Sequence, residues 1–528
     1  MENNKEKNIE KGIDLEEYKE NKEIKGNFDK SLSVKCNNGF FVGLKCGNVI
    51  SYKGIPYAEP PIGNLRFQPP KRLPKSEKIF EAYYFGKTSL QSKCDTEKAS
   101  SYKQGEDCLT LNIWKNLSNT NENKPVMVFI HGGAFGWGGT SDPLYEGHNF
   151  INIHDDVILI TINYRVNLLG FINLSIFEGG EKYKSSGNLG ILDQVCALQW
   201  IYENIQNFSG DPNNITIFGE SAGGTSVSVL PFVSGTKGLF HRIIAQSGSM
   251  QFTSSTEECL KVSKKLMEKL KINSVNDLLN LTEKEMKEII DNFEYYNFPE
   301  RDGIVIPKDL YSALEEYDIS GLDFLLGTNK DEYRYWVKDF GGYDIYEKEL
   351  PKLYDKVYSS LEEEDKKNSD EFIKMLKGSE LWNKTEFFSE QVFRIPAITQ
   401  AEKIIKKGGK VYMYYWTFPS SIKYLEACHA IELSHVFNNV KNGIYSGGNY
   451  NLELAEKVQK MWVNFAKNGN PSIDGNVWNL YDLNERKTII LGEKIYEEKD
   501  LLAEQRKLMS PLFKYYINSI DVLNENNN

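Results

Sequence analysis

A chain of 528 residues that is 40% hydrophobic and 26% charged has ample material for a large globular core. Its net charge of −11 argues against nucleic acid or an anionic membrane as the main partner. Apolar runs such as VMVFI and VILITI are strand-sized, well short of the ~20 residues a spanning helix needs.

In chain order, residues 1–30 alternate acidic and basic side chains and contain no apolar core of a secretory signal. They read as a charged, flexible extension of a soluble, cytoplasmic protein. Residues 31–520 read as one folded domain and residues 521–528 as a frayed tail. The cysteines Cys36, Cys46, Cys94, Cys108, Cys196, Cys259 and Cys428 are odd in number and form no C-x-x-C pair, which disfavours a zinc site. In a reducing compartment free thiols are expected; a small loop closed by Cys94 and Cys108 is the alternative.

The runs PVMVFI (125–130), VILITINY (157–164) and NITIF (214–218) are apolar on both faces, as interior strands of a mostly parallel sheet are. Before the last of them, Ile191, Val195, Leu198, Ile201 and Ile205 fall at helical spacing. Further strands are expected at 242–248, 323–329, 411–418 and 488–492. Residues 255–300 and 345–407 are charged and helical in pattern, and read as insertions that cap the sheet. Alternating β and α elements give an α/β class with a large twisted sheet.

The strand at 214–218 runs into Gly219-Glu220-Ser221-Ala222-Gly223, with a helix to follow. Gly-x-Ser-x-Gly between strand and helix is a nucleophile elbow, a tight turn that lifts a serine hydroxyl above the sheet. A purely structural glycine turn is the bland alternative. A serine needs a base, and in an elbow the chain order is Ser, acid, His. Of the six histidines this order removes His131, His148 and His154, and His241 follows the serine too closely. His429 and His435 remain. Asp331, Glu332 and Asp302 are the candidate acids, and most carboxylates of this kind are merely solvated. The glycine-rich FIHGGAFGWGG (129–139) follows a strand and matches the backbone-donor loop of esterases and lipases; no Lys-Ser/Thr follows, so a phosphate loop is disfavoured.

Beyond the elbow, the segments YKGIPYAEPPIGNLRFQPP, GEDCLTLNIW, HGGAFGWGG, INYRVNLLGF, GNLGILDQVCALQWIYENIQNFSGDPNNITIFGESAGG, AQSGS, GTNKDEY, CHAIEL and FAKNGNPS occur in this order. In them the chain resembles the type-B carboxylesterase family, which includes the cholinesterases, from about residue 38 to the C-terminal region. The resemblance implies an α/β-hydrolase fold with helices on both faces of the sheet and helical insertions. It implies a serine carboxylesterase that forms an acyl-enzyme on a small-molecule ester, with no metal and no organic cofactor. It assigns Ser221 as nucleophile, Glu332 as acid and His429 as base, with the N–H groups of Gly133, Ala134 and Ala222 as the oxyanion hole. It also implies structural ion pairs Arg66–Glu106 and Arg165–Asp193. In the mechanism that follows from it, Glu220 and Ser247 are expected as polar neighbours of the base. Phe135, Trp137, Tyr333 and Trp336 are candidate pocket walls or core.

Two departures stand out. The loop DTEKASSYKQG lacks the tryptophan on which cholinesterases rest a quaternary ammonium, so choline selectivity is not expected. Tyr333 stands where the family usually has glycine after the acid. The alternatives are a non-catalytic adhesion or binding protein of the same fold, and an amidase using the same three residues.

Overall fold

Each of the expected strand runs forms a strand, in a computed structural model that describes residues 19–93, 102–119, 122–293 and 297–515. Two units result: Met1–Arg242 with Thr253–Leu310, and Ile243–Phe252 with Tyr311–Asn528.

The first unit opens with β1 (Ser33–Cys36) and β2 (Gly39–Val42), an antiparallel hairpin, then β3 (Leu44–Cys46), β4 (Val49–Pro56) and β5 (Ile79–Glu81), which adds in parallel to β2. There follow β6 (Thr110–Asn116), β7 (Lys124–Ile130), β8 (Ile158–Ile162) and β9 (Gly210–Glu220). Spatially the order is β9-β7-β8-β6-β4-β3. β7 lies between β8 and β9 and is parallel to both, whereas β6, β4 and β3 continue antiparallel. β8 is buried along its whole length, the environment its unbroken apolar run requires. The helix Leu189–Asn204 buries Ile191, Val195, Leu198 and Ile201, and Ile205 is buried in the next turn.

β10 (Arg242–Gln246) enters the second unit at residue 243, and the chain returns to the first at residue 253, where β11 (Ser254–Ser255) pairs in parallel with β12 (Glu300–Arg301). Between these two lie the helices Thr256–Leu270, Val275–Leu279 and Glu283–Asn292. Each begins at a reciprocal cap: Ser255 with Glu258, Ser274 with Asp277 and Thr282 with Glu285. Such caps satisfy orphan N–H groups and place the helix start in the sequence. Leu266, Met267, Val275, Leu278, Met286 and Ile290 are buried against Phe67, Leu168 and Ile172.

The second unit stacks β13 (Asp323–Asn329), β14 (Lys410–Trp416) and β15 (Thr488–Leu491) in parallel, with β10 beside β13 and β16 (Ile495–Glu498) antiparallel at the other edge. Its insertion carries the helices Tyr343–Ser360, Glu363–Met375 and Glu380–Phe388, a π-helical turn Ser389–Arg394, and Ile395–Lys406. Tyr414 of β14 packs on Trp462 of the helix Leu452–Asn468, both fully buried.

Within the N-terminal extension assigned to residues 1–30, the described residues from 19 onward are bonded to the fold. Asn21 donates to the carbonyls of Lys53 and Tyr84 and accepts from the N–H groups of Tyr83 and Tyr84, and Ile24 N–H donates to Ile79 O. One asparagine amide and main-chain groups make these bonds, and a charge pattern is blind to both. Residues 1–18, the tail at 521–528 and Cys94 lie outside the described residues. No helix among the described residues is long and apolar enough to cross a membrane.

Candidate active site

β9 ends at Glu220, and the helix Ala222–Val229 starts two residues later, with Ser221 as its N-cap. Ser221 has φ 56° and ψ −121°, a conformation that costs a non-glycine residue roughly 1–3 kcal/mol. The turn survives because the backbone is pressed together around it. A Cβ on Gly223 would sit 2.0 Å from the carbonyl oxygen of Ile130 in β7, so no other residue fits there. Ser221 is half-buried and Ala222 is buried. As the first helical residue, Ala222 has an N–H with no intrahelical acceptor.

The glycine-rich loop leaves the end of β7. Gly133 has φ 103°, and a Cβ there would meet the Trp137 carbonyl oxygen at 2.3 Å. Ala134 and Phe135 follow at φ 49° and 57°. Several bonds fix this shape: Gly136 and Trp137 N–H donate to Gly133 O at 2.8 and 3.0 Å, Gly138 pairs twice with the Gln91 amide, and Asn167 N–H donates to Phe135 O at 2.6 Å. The N–H groups of Gly133 and Ala134 have no acceptor among the described residues. His131 is structural. Its ring stacks on Tyr164 at 4.4 Å, Nδ1 is 2.8 Å from Gly132 O, and burial lowers its pKa to about 4.

In the second unit, β13 runs into a 3₁₀ turn that starts at Glu332, and Glu332 is fully buried. Its Oε1 accepts from Ser247 Oγ at 2.5 Å and from Asn329 N–H at 2.7 Å. Its Oε2 lies 2.6 Å from Nδ1 of His429. A carboxylate so occupied is an acceptor only, so Nδ1 carries the proton and Nε2 is left basic. His429 N–H also donates to Glu332 O at 3.2 Å, and its ring lies among Phe393, Tyr335 and Trp336.

The other candidates have different occupations. Asp302 Oδ1 accepts from the N–H groups of Ile304, Val305 and Ile306, which makes it a turn former. Asp331 pairs with Arg334 and accepts from Ala427 N–H. His435 is buried beside Trp416 and Phe418, its Nδ1 faces Ser434 Oγ at 3.2 Å, and burial brings its pKa down to about 4. His241 meets Ile215 N–H.

Next to Glu332 lies a network that residue types alone do not reveal. Glu432 is buried and accepts from Gln246 Nε2 at 3.0 Å and Asn329 Nδ2 at 2.7 Å, and Trp462 Nε1 donates to Gln246 Oε1. Burial, with Glu332 nearby, pushes the Glu432 carboxyl up. The one signal in the sequence is that Gln246 and Asn329 are polar residues closing apolar strands. Tyr333 is wholly buried, stacked between Trp336 at 4.5 Å and Phe388 at 4.8 Å, and Phe135 packs on Phe171 and Phe298; both belong to the core. Trp137 is half-exposed and Trp336 faces His429. Both expected ion pairs form as buried forks, Arg66 on Glu106 and Arg165 on Asp193. Cys36, Cys108, Cys196, Cys259 and Cys428 are buried free thiols, and no group of three or more His, Cys, Asp or Glu among the described residues is arranged to hold a metal ion.

The model of the carboxylesterase family matches residues 30–508. The para-nitrobenzyl esterase of Bacillus subtilis (strain 168) is 34% identical over 500 residues, covering 90% of this chain and 98% of its own. Liver carboxylesterase 1F of Rattus norvegicus is 32% identical over 521 residues, covering 87% and 88%. Among solved structures, a carboxylesterase of Geobacillus stearothermophilus at pH 6.2 superimposes with a TM-score of 0.81 at 32% identity, covering 90% of this chain and 100% of that one. A structure of PNB esterase gives a TM-score of 0.80 at 31% identity, with 90% and 99% covered. With its α/β-hydrolase fold and these relatives, the chain belongs to the carboxylesterase family, whose members hydrolyse carboxylic esters.

Proposed function

We propose that the protein hydrolyses small carboxylic esters in two steps, with Ser221 as nucleophile, His429 as general base and Glu332 as the carboxylate that holds it. His429 Nε2 takes the proton of Ser221 Oγ as the oxygen attacks the ester carbonyl. Glu332 keeps the proton on Nδ1 and stabilises the imidazolium that forms. The N–H groups of Gly133, Ala134 and Ala222 receive the oxyanion, where loss of one donor costs ~3 kcal/mol. His429 then protonates the departing alcohol, and water repeats the sequence on the acyl-enzyme. Glu220 precedes the nucleophile in its turn, and Ser247 acts through its bond to Glu332.

The observation that carries this reading is the short bond between a fully buried Glu332 and His429 Nδ1, which leaves one basic nitrogen on the ring. The relatives name a first substrate to try, since one of them is a para-nitrobenzyl esterase. Free thiols at Cys36, Cys108, Cys196, Cys259 and Cys428 suit a reducing, cytoplasmic setting.

Pre-steady-state kinetics on a nitrophenyl ester test the acyl-enzyme route. A burst of nitrophenol close to one per chain is expected, abolished in Ser221→Ala. Turnover by Ser221→Ala at the wild-type rate refutes the assignment. Faster turnover of an aryl amide than of the matching ester would make the protein an amidase. Neither turnover nor burst with any ester would leave a binding protein.

A further inference from the structure

Glu332 and His429 are one rung of a longer ladder. The segment Asn329–Arg334 lies along the turn Tyr424–Ala430 and is bonded to it at almost every step. Asn329 Nδ2 donates to Cys428 O at 2.9 Å. Asp331 N–H donates to Ala427 O at 3.0 Å, and Ala427 N–H donates back to Asp331 Oδ2 at 3.3 Å. Arg334 Nη1 donates to Tyr424 O at 3.3 Å, and its Nε pairs with Asp331 Oδ1 at 3.3 Å. The guanidinium also lies 4.2 Å from the ring centroid of Trp382, which with Tyr343 packs on Tyr424.

The turn needs such bonds. Tyr424, Glu426 and Ala430 have φ of 77°, 48° and 64°, so three non-glycine residues around His429 are held in the left-handed region. Such conformations persist only where the surroundings over-determine them. Ala427 and Cys428 are buried, which leaves no water to replace a lost partner.

We infer that Asp331 and Arg334 are positioning residues: they latch the strained turn at Ala427 and Tyr424 and thereby set where the His429 ring stands. Neither touches the imidazole. Asp331 works through its carboxylate oxygens, one on Ala427 N–H and the other on Arg334, and Arg334 carries the latch on to Tyr424. The inference rests on the proposed role of His429 and deepens it.

The test is steady-state and burst kinetics of the full chain on a nitrophenyl ester, with fluorophosphonate labelling of Ser221 and a melting curve for each variant. In Asp331→Ala the latch is lost, and kcat should fall about a hundredfold, the usual cost of ~1 Å of misplacement, with KM nearly unchanged. Asp331→Asn keeps an acceptor for Ala427 N–H and should recover kcat to within about threefold of wild type, because only a partly exposed charge pair is weakened. Arg334→Gln should lower kcat about tenfold, and labelling should slow in proportion. A folded Asp331→Ala or Arg334→Gln protein with wild-type kcat overturns the inference. So does a loss that Asp331→Asn does not repair, or one that appears in KM instead of kcat. Should Asp331→Ala fail to fold, Arg334→Gln and Asp331→Asn decide alone. A wild-type protein that neither turns over esters nor labels at Ser221 refutes the triad, and the latch with it; the variant results refute the latch only.

Discussion

The turn at Ser221 and the paired segments of Glu332 and His429 are built on opposite principles. Around Ser221 the backbone does the positioning: glycines let β7 and the helix after β9 close in, and the residue is forced to φ 56°. Around His429 the side chains do it: Glu332, Asn329, Asp331 and Arg334 reach a turn almost a hundred residues further on. A site made of backbone contacts fails when a Cβ is added. A site made of side-chain bonds fails when a partner is removed, and it degrades by degrees.

The largest effect tests the serine side. Ser221→Ala should lower kcat by ~10⁴ or more, since triad members act as a unit. Glu332→Gln should lose about 10³- to 10⁴-fold, because an amide no longer enforces the Nδ1–H tautomer. If Asp331→Asn proved the more damaging, the acid would have to be reassigned. Gly223→Ala sharpens the contrast: a Cβ 2.0 Å from Ile130 O must displace β7 or the helix. A loss of at least about 3 kcal/mol in stability is expected, seen as a lower denaturation midpoint. A midpoint equal to wild type would contradict a backbone-built turn.

A smaller effect concerns pH. His131 and His435 are buried and neutral, with pKa values lowered to about 4. Because protonation is harder in the folded chain, each contributes stability that is full above an unfolded pKa of ~6.5 and is lost as pH falls toward 4, by about 3 kcal/mol per group. Replacing His435 with Gln should therefore flatten the fall in melting temperature between pH 6.5 and 4. An unchanged slope would mean that His435 is already protonated in the fold. The smallest effect is Asp331→Asn, expected within about threefold of wild-type kcat.

The contrast also explains what the sequence made legible. β7, β8, β9 and β13 stood out as apolar runs, and the serine turn stood out because a strand, two glycines and a helix are local features. His429 could be narrowed only to a pair with His435, because both lie in one short segment and both rings sit among aromatics; what separates them is the partner at Nδ1, Glu332 for His429 and Ser434 for His435. The three candidate acids differ by which way a carboxylate leaves its turn: Asp302 folds back on its own N–H groups, Asp331 goes to Arg334, and Glu332 to His429. No periodicity encodes that direction; only the family resemblance chose among them. The pairing of residues 21–24 with β4 and β5 was equally silent, since it uses one asparagine amide and the main-chain groups of residues 22–24.

The most direct single measurement is a fluorophosphonate reaction followed by peptide mass spectrometry on wild type and His429→Ala. One label per wild-type chain, on the peptide bearing Ser221, and a labelling rate at least about a hundredfold lower in His429→Ala, is the predicted result. A label on any other residue, or equal rates in the two proteins, would contradict the assignment of Ser221 and His429 as nucleophile and base.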